Sequence, residues 1–141
     1  PGEALLIADS GTALTLDVVD SEGTFMCGNI SPGVKLRLRS LHEYTDRLPE
    51  VPKQGDVPLF GYDTETAMRS GAVRGVVADI ADGFRRASKE YGAARLVLTG
   101  GDAEALVPMV EESLGWKAQA VMVRDLVAIG LNRILSYNED I

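Results

Sequence analysis

Apolar and polar positions alternate in three short runs near the start of the chain and then switch to helical spacing. Leu5 to Asp9, Thr15 to Val19 and Thr24 to Ile30 read as strands, separated by Ser10-Gly11 and by Asp20-Ser21-Glu22-Gly23. Turns this short make the strands antiparallel neighbours. Ser31-Pro32-Gly33 breaks the pattern, and Val34, Leu38, Leu41 and Leu48 then predict a helix from about Val34 to Arg47. Pro49, Pro52 and Pro58, with Gly55 and Gly61, mark a loop; loops of roughly a dozen residues without structure are usually functional or mobile. A second helix starts near Thr64, with Asp63 or Thr64 as N-cap, and ends near Tyr91-Gly92. Its apolar face carries Ala67, Met68, Ala72, Val76, Ile80, Phe84 and Ala87. Gly71, Gly75 and Gly83 lie within it, each at a cost of up to about 1 kcal/mol, so close packing against another backbone, or a kink, is expected there. Arg95 to Thr99 reads as a buried strand ended by Gly100-Gly101, and Asp102 is expected to cap a helix running to about Leu114. Gln119 to Val123 is a further strand. Asp125 is expected to cap a last helix carrying Leu126, Ile129, Leu131, Ile134 and Leu135, before a polar tail from Asn138 to Ile141.

The order β-β-β-α-α-β-α-β-α predicts an α/β domain with a mixed sheet: three antiparallel strands, then helices and strands in alternation. The chain has 141 residues, enough for one domain with a core, and its 45% hydrophobic and 25% charged residues are ordinary for a globular protein. The net charge of −7 and the lack of a Lys/Arg cluster argue against nucleic acid or an anionic membrane as the main partner. They leave a nucleotide open, because a small phosphate site can be built from backbone N–H groups and a metal. The single cysteine, Cys27, excludes an intrachain disulfide and suits a reducing compartment. No apolar run approaches the roughly 20 residues of a membrane span, and no signal peptide is visible. A chain that begins at Pro1, almost directly on a core strand, is expected to be a cut or processed piece of a larger molecule.

The first candidate chemistry is the stretch Asp9-Ser10-Gly11-Thr12-Ala13-Leu14-Thr15-Leu16-Asp17. It predicts a hairpin with a polar tip. Gly11 can adopt positive φ and let a ligand approach the backbone, Thr12 and Thr15 add hydroxyls, and successive N–H groups can form an anion-binding nest. Asp9 and Asp17 offer charge to a cation that would offset phosphate. An ordinary hairpin, in which Asp and Thr satisfy turn backbone groups, is the alternative. Leu98-Thr99-Gly100-Gly101-Asp102 is the second candidate: two glycines at a strand end let a flat ligand such as adenine or ribose lie on the backbone, beside a helix N-terminus. A plain strand-to-helix turn is its alternative. Arg37, Arg39 and Arg47 read as a solvated helix face, with contact to phosphate as the alternative, and Asp79 and Asp82 as solvated carboxylates, with a paired-carboxylate role as theirs. His42 reads as a surface or helix-packing residue, Cys27 as core and Trp116 as an edge aromatic. A phosphate-gripping hairpin on such a sheet resembles the actin-like ATPase and sugar-kinase architecture, normally two similar domains with nucleotide between them.

The residues further resemble the type III pantothenate kinases. The matching segments are the Asp9–Asp17 stretch, Gly28-Asn29-Ile30-Ser31-Pro32-Gly33, Leu41-His42-Glu43-Tyr44-Thr45-Asp46-Arg47-Leu48-Pro49, Thr64 to Gly71, Leu98 to Asp102, and Gly130-Leu131-Asn132-Arg133-Ile134-Leu135. The resemblance implies an actin-like (ribonuclease H-like) fold, with residues 1–141 as the single C-terminal domain of a two-domain kinase. The implied activity is ATP-dependent phosphorylation of pantothenate, the first step to coenzyme A, in the cytoplasm. Asp9 would hold a monovalent cation, usually potassium. Gly11 and Thr12 would meet ATP phosphate, with Mg2+ accompanying the nucleotide, and Gly100, Gly101 and Asp102 would border the adenosine. Thr64 would contact pantothenate near the interface of a homodimer, to which the loop before Thr64 and the glycine-bearing helix would contribute.

Two departures bear on the chemistry. Cys27-Gly28 stands where the family usually has Gly-Gly, so the thiol is expected to narrow the approach there. The Asp-x-Gly-Asn-Thr phosphate loop and the Gly-x-Asp-Arg segment, which carries the general base and a pantothenate-binding arginine, have no counterpart in these residues. No residue of this chain is therefore expected to be the catalytic base, the chain alone is expected to be inactive, and a missing N-terminal half is an expected partner. The alternatives are a non-catalytic relative like the Bvg accessory factor, acting through a protein partner, and a generic sugar or acetate kinase or chaperone-like ATPase. The Thr64 and Leu41–Pro49 segments speak against the last group.

Overall fold

The computed structural model describes residues 2–115 and 119–139. Trp116, named above as an edge aromatic, and the last two residues of the tail lie outside them. A five-stranded sheet is built from β1 (Ala4–Ser10), β2 (Ala13–Val19), β3 (Phe25–Pro32), β4 (Ala93–Thr99) and β5 (Ala120–Met122). Its order is β3-β2-β1-β4-β5. β3, β2 and β1 are antiparallel, whereas β4 and β5 run parallel to β1. This is the mixed sheet expected of an actin-like domain, and it makes β1 the central strand.

One face of the sheet is covered. Leu6, Ala8, Leu14, Leu16, Val18, Leu96 and Leu98 are buried there against α1 (Val34–Glu43), α2 (Thr64–Tyr91) and α3 (Ala103–Ser113). The strict alternation of β1 and β2 puts Leu5, Ile7, Asp9, Thr15 and Asp17 on the opposite face, where they are half-buried. α4 (Leu126–Glu139) follows Asp125, whose φ of 56° is the left-handed conformation that aspartate tolerates. The apolar residues Val127, Ile129, Leu131, Ile134 and Leu135 of α4 are between 56% and 61% exposed, so these five side chains add nothing to the core. Among the described residues no helix is long and apolar enough to cross a membrane.

Three local expectations are corrected. α1 ends at Glu43 rather than near Arg47. The Thr45 hydroxyl donates to Leu41 O at 2.6 Å, and His42 Nδ1 lies 2.8 Å from Leu48 O. The chain therefore folds back there, and Leu48 reaches the core from the turn, not along the helix. β2 begins at Ala13, leaving only Gly11-Thr12 at the hairpin tip, and β3 continues through Pro32, which an edge strand tolerates. The glycines of α2 differ from one another. A Cβ at Gly83 would lie 2.8 Å from Leu16 Cδ1 on the sheet, and one at Gly75 would lie 2.6 Å from the Arg37 guanidinium on α1. Gly71 faces open space.

Arg37 and Asp79 are not a solvated face. Arg37 Nη2 donates to Asp79 Oδ2 at 2.5 Å, and its Nε donates to Pro32 O, tying α1 to α2 and to the end of β3. Arg39 and Asp82 do stay at the surface, in pairs with Glu43 and Arg86 one helical turn away.

Candidate functional site

Asp9, the last residue but one of β1, points away from the helices. Its lateral neighbours are Thr15 on β2 and Thr99 on β4, so two hydroxyls flank one carboxylate on the open face. Thr15 Oγ1 donates to Asp17 Oδ2 at 3.2 Å. Asp9 itself has no hydrogen-bond or ion-pair partner among the described residues. Gly100 follows β4 with φ of +91°, and a Cβ there would collide with Asp9 Oδ1 and Ser10 O. The close approach of the β4 turn to Asp9 therefore requires glycine at this position. Asp9, Thr99, Gly100 and Gly101 line a cleft of about 650 Å³, closed on the other side by Arg124 and the first turn of α4.

Gly11 and Thr12 stand just beyond Asp9 at the hairpin tip. Gly11 does not use positive φ, contrary to expectation, and a Cβ there would meet nothing within 4 Å. The tip owes its shape to Gly11 N–H, which donates to Ala13 O at 2.9 Å, and to Gly33 N–H, which donates to Thr12 O at 2.9 Å. Gly33 is the N-cap of α1 and lacks room for a side chain: a Cβ would collide with Gly11 O. The α1 N-terminus is thus set directly against the tip, with its partial positive charge near the exposed Thr12.

Asp102 is only partly as expected. It occupies the N-cap position of α3 but makes no side-chain cap hydrogen bond. Its carboxylate, 10% exposed, is paired instead with Lys53 Nζ at 2.5 Å. Its backbone N–H donates to Ser10 O at 3.0 Å. Cys27 is half-buried and packs toward the helices beside Gly83, Ala87 and Tyr91, on the side of the sheet away from Asp9. Its bulk does not narrow the cleft, which corrects the expectation drawn from the Cys27-Gly28 departure.

Thr64 lies outside the cleft, exposed in the first turn of α2. A reciprocal capping box fixes that turn. Asp63 Oδ1 accepts from Thr66 N–H at 2.8 Å, while Thr66 Oγ1 accepts from Asp63 N–H at 3.2 Å. Hydrogen bonds from the Thr66 side chain, then from its backbone, hold the Asp63 carboxyl below its ordinary pKa. A carboxylate depressed on folding stabilises above its unfolded pKa and loses that contribution as pH falls through the folded value. Asp63→Ala is therefore expected to lower the melting temperature at neutral pH. The gap from the wild type should close in acid, as melting curves across pH 2 to 7 would reveal.

The loop before Thr64 is not structureless. Arg69, buried on α2, donates through Nε to Pro52 O at 3.0 Å and through Nη1 to Asp56 O at 3.3 Å. Arg74 donates to Pro58 O at 2.8 Å and to Val57 O at 3.1 Å. Gly55, at φ +128°, passes so close that a Cβ would lie 2.8 Å from the Arg69 guanidinium. Sequence reasoning passed over Arg69, Arg74 and Lys53. The available signal was the loop itself: its carbonyls have no strand to pair with, so buried ones need cationic donors.

The donors at Asp9, one unpaired carboxylate with the Thr15 and Thr99 hydroxyls beside it, are oxygen atoms of the kind that hard cations take. Among the described residues no cluster of three His, Cys, Asp or Glu side chains is gathered to hold a metal by itself.

Residues 1–86 match a family model described as type III pantothenate kinase. Curated type III pantothenate kinases are similar over nearly the whole chain. That of Phocaeicola vulgatus is 40% identical over 141 residues, covering 99% of this chain and 55% of the relative. That of Porphyromonas gingivalis is 38% identical over 141 residues, covering 98% and 55%. The chain thus spans about half the length of the curated relatives it matches. A solved structure described as a Baf family transcriptional activator from Campylobacter jejuni superposes with a TM-score of 0.70 at 23% identity, over 99% of this chain and 60% of that one. That likeness shows a shared fold.

Proposed function

The chain belongs to the type III pantothenate kinase family, and from that premise we propose that it is the C-terminal domain of an enzyme that phosphorylates pantothenate with ATP. The product would be 4'-phosphopantothenate, in the first step to coenzyme A. The observation that carries this reading is the cleft at the end of β1 and β4, where an unpaired Asp9 stands against glycines that leave the backbone accessible. Phosphoryl transfer is mostly positioning and charge neutralisation, plus a group that takes the hydroxyl proton. Gly11 and Thr12 offer the tip to the ATP phosphates, and Gly100 and Gly101 border the adenosine. Asp102 contributes its backbone there, its carboxylate being engaged by Lys53. Potassium at Asp9 would supply positive charge beside the phosphates, and Mg2+ would arrive with the nucleotide.

Thr64 contacts pantothenate in this reading. Because it lies outside the cleft, the contact is made across a homodimer interface that includes the exposed Leu59, Phe60 and Tyr62. The general base comes from an N-terminal half. The exposed apolar residues of α4 and the open sheet face support a second domain packing on this one. The location is cytoplasmic.

The test is ADP release by the longer protein that carries both halves, with and without pantothenate, in potassium or sodium buffer. Release that needs pantothenate and is faster in potassium is expected, with none from this chain alone. Equal release with and without pantothenate would overturn the reading. Gly11→Ala and Gly101→Ala sharpen it: both positions have open space and ordinary φ, so the fold should melt as the wild type does. ADP release should nevertheless fall, by about tenfold for each 1.4 kcal/mol of lost phosphate or adenosine contact. Unchanged kinetics in both variants would place the nucleotide elsewhere.

A further inference from the structure

We infer that Lys53 is a positioning residue that couples the nucleotide-side turn to the loop leading to Thr64. The inference rests on the nucleotide reading of the cleft. Asp102 is the junction. Its backbone N–H is held by Ser10 O, next to Asp9 on β1, and its carboxylate is held by Lys53. It directly follows Gly100 and Gly101, which line the cleft. The turn that would contact adenosine and the side chain that grips Lys53 therefore move as one piece.

From Lys53 toward Thr64 the loop is tied down at several points, on either side of the exposed Leu59 and Phe60. Pro52, the preceding residue, is fixed by Arg69, as is Asp56, and Val57 and Pro58 are fixed by Arg74. Gly61 packs so tightly on the backbone of Ala67 that a Cβ would collide with it. Tyr62 N–H then donates to Thr66 Oγ1 at 3.1 Å, inside the capping box that fixes Thr64. Among the described residues, Lys53 makes the loop's one ion pair to the β4–α3 turn; the arginine ties all run to α2. The Asp102 carboxylate is 10% exposed whereas Lys53 is 39% exposed, so solvent screens the pair from the lysine side and its role is to fix geometry more than to add stability. Chains of packed and hydrogen-bonded contacts can carry energetic coupling between sites, and the measured response of one site to the other is what establishes it.

The experiment is hydrogen exchange on the full-length enzyme, read at loop residues 54–63, with and without a non-hydrolysable ATP analogue and Mg2+. In the wild type the analogue should slow exchange in the loop by about fivefold or more, the lower end of ordinary coupling between sites. Lys53→Met should remove that response, and Lys53→Arg should keep most of it. The double variant Lys53→Met with Asp102→Asn removes the pair without stranding a buried carboxylate, and it should behave as Lys53→Met does. A loop response that survives in Lys53→Met and in the double variant, or no response in the wild type, would overturn the inference. A wild type that shows the loop response yet releases no ADP on adding pantothenate would refute the substrate while leaving the coupling in place.

Discussion

Arg69→Ala is expected to be the most destabilising single substitution in the loop region, at about 3 kcal/mol. The guanidinium is buried and donates to two loop carbonyls, Pro52 O and Asp56 O, with Glu65 3.9 Å away. Hydrogen bonds from charged donors contribute about 1.5 to 3 kcal/mol each, and truncation leaves two acceptors without partners in a partly dry setting. The side-chain stem would also leave a void beside Gly55. With an ordinary urea dependence, the unfolding midpoint should drop by about 1 to 2 M. Amide exchange should accelerate first in residues 50–61, which have lost their anchor. Arg69→Lys keeps the charge but lacks the fork that reaches both carbonyls, so it should fall between the two. A midpoint unchanged in Arg69→Ala would mean that the loop is held by other contacts.

Asp9→Asn should act in the opposite way, on chemistry and not on folding. Asp9 is half-buried and unpaired among the described residues, so the fold loses no partner when its charge is removed. Asparagine is nearly isosteric and leaves the Gly100 approach intact. What disappears is the negative charge that would hold a cation beside the ATP phosphates. Removing one preorganised electrostatic group from such a site costs on the order of 100-fold in kcat. In the full-length enzyme we expect that loss, with potassium no longer faster than sodium and with the melting temperature little changed. A variant with wild-type kcat that still prefers potassium would place the cation away from Asp9.

The two substitutions also divide what the sequence made legible from what it did not. Asp9 could be found because a strand's alternation, a short turn and a glycine are local signals. The same holds for Gly100, where a strand stop and two glycines announce a close approach, and for Asp63, whose cap motif closes within three residues. The roles of Arg69, Arg74 and Lys53 depend on where a proline-rich loop folds back, and no local spacing reveals that. Arg37 and Asp79 are 42 positions apart, so each alone reads as a surface charge. Asp102 shows the same limit inside a correctly placed element: its position at the start of α3 was readable, but its Lys53 partner took the carboxylate away from capping. α4 illustrates a different one. Helical periodicity predicted the helix, but periodicity states only that a face is apolar, not what that face packs against.

The most direct measurement follows the phosphoryl group itself. The full-length protein would be given ATP labelled at the γ-phosphate, pantothenate and potassium, and the products separated. The expected result is label on pantothenate, in an amount equal to the ADP formed. Label appearing only in inorganic phosphate, at a rate indifferent to pantothenate, would contradict the kinase assignment and leave an actin-like nucleotide hydrolase in its place.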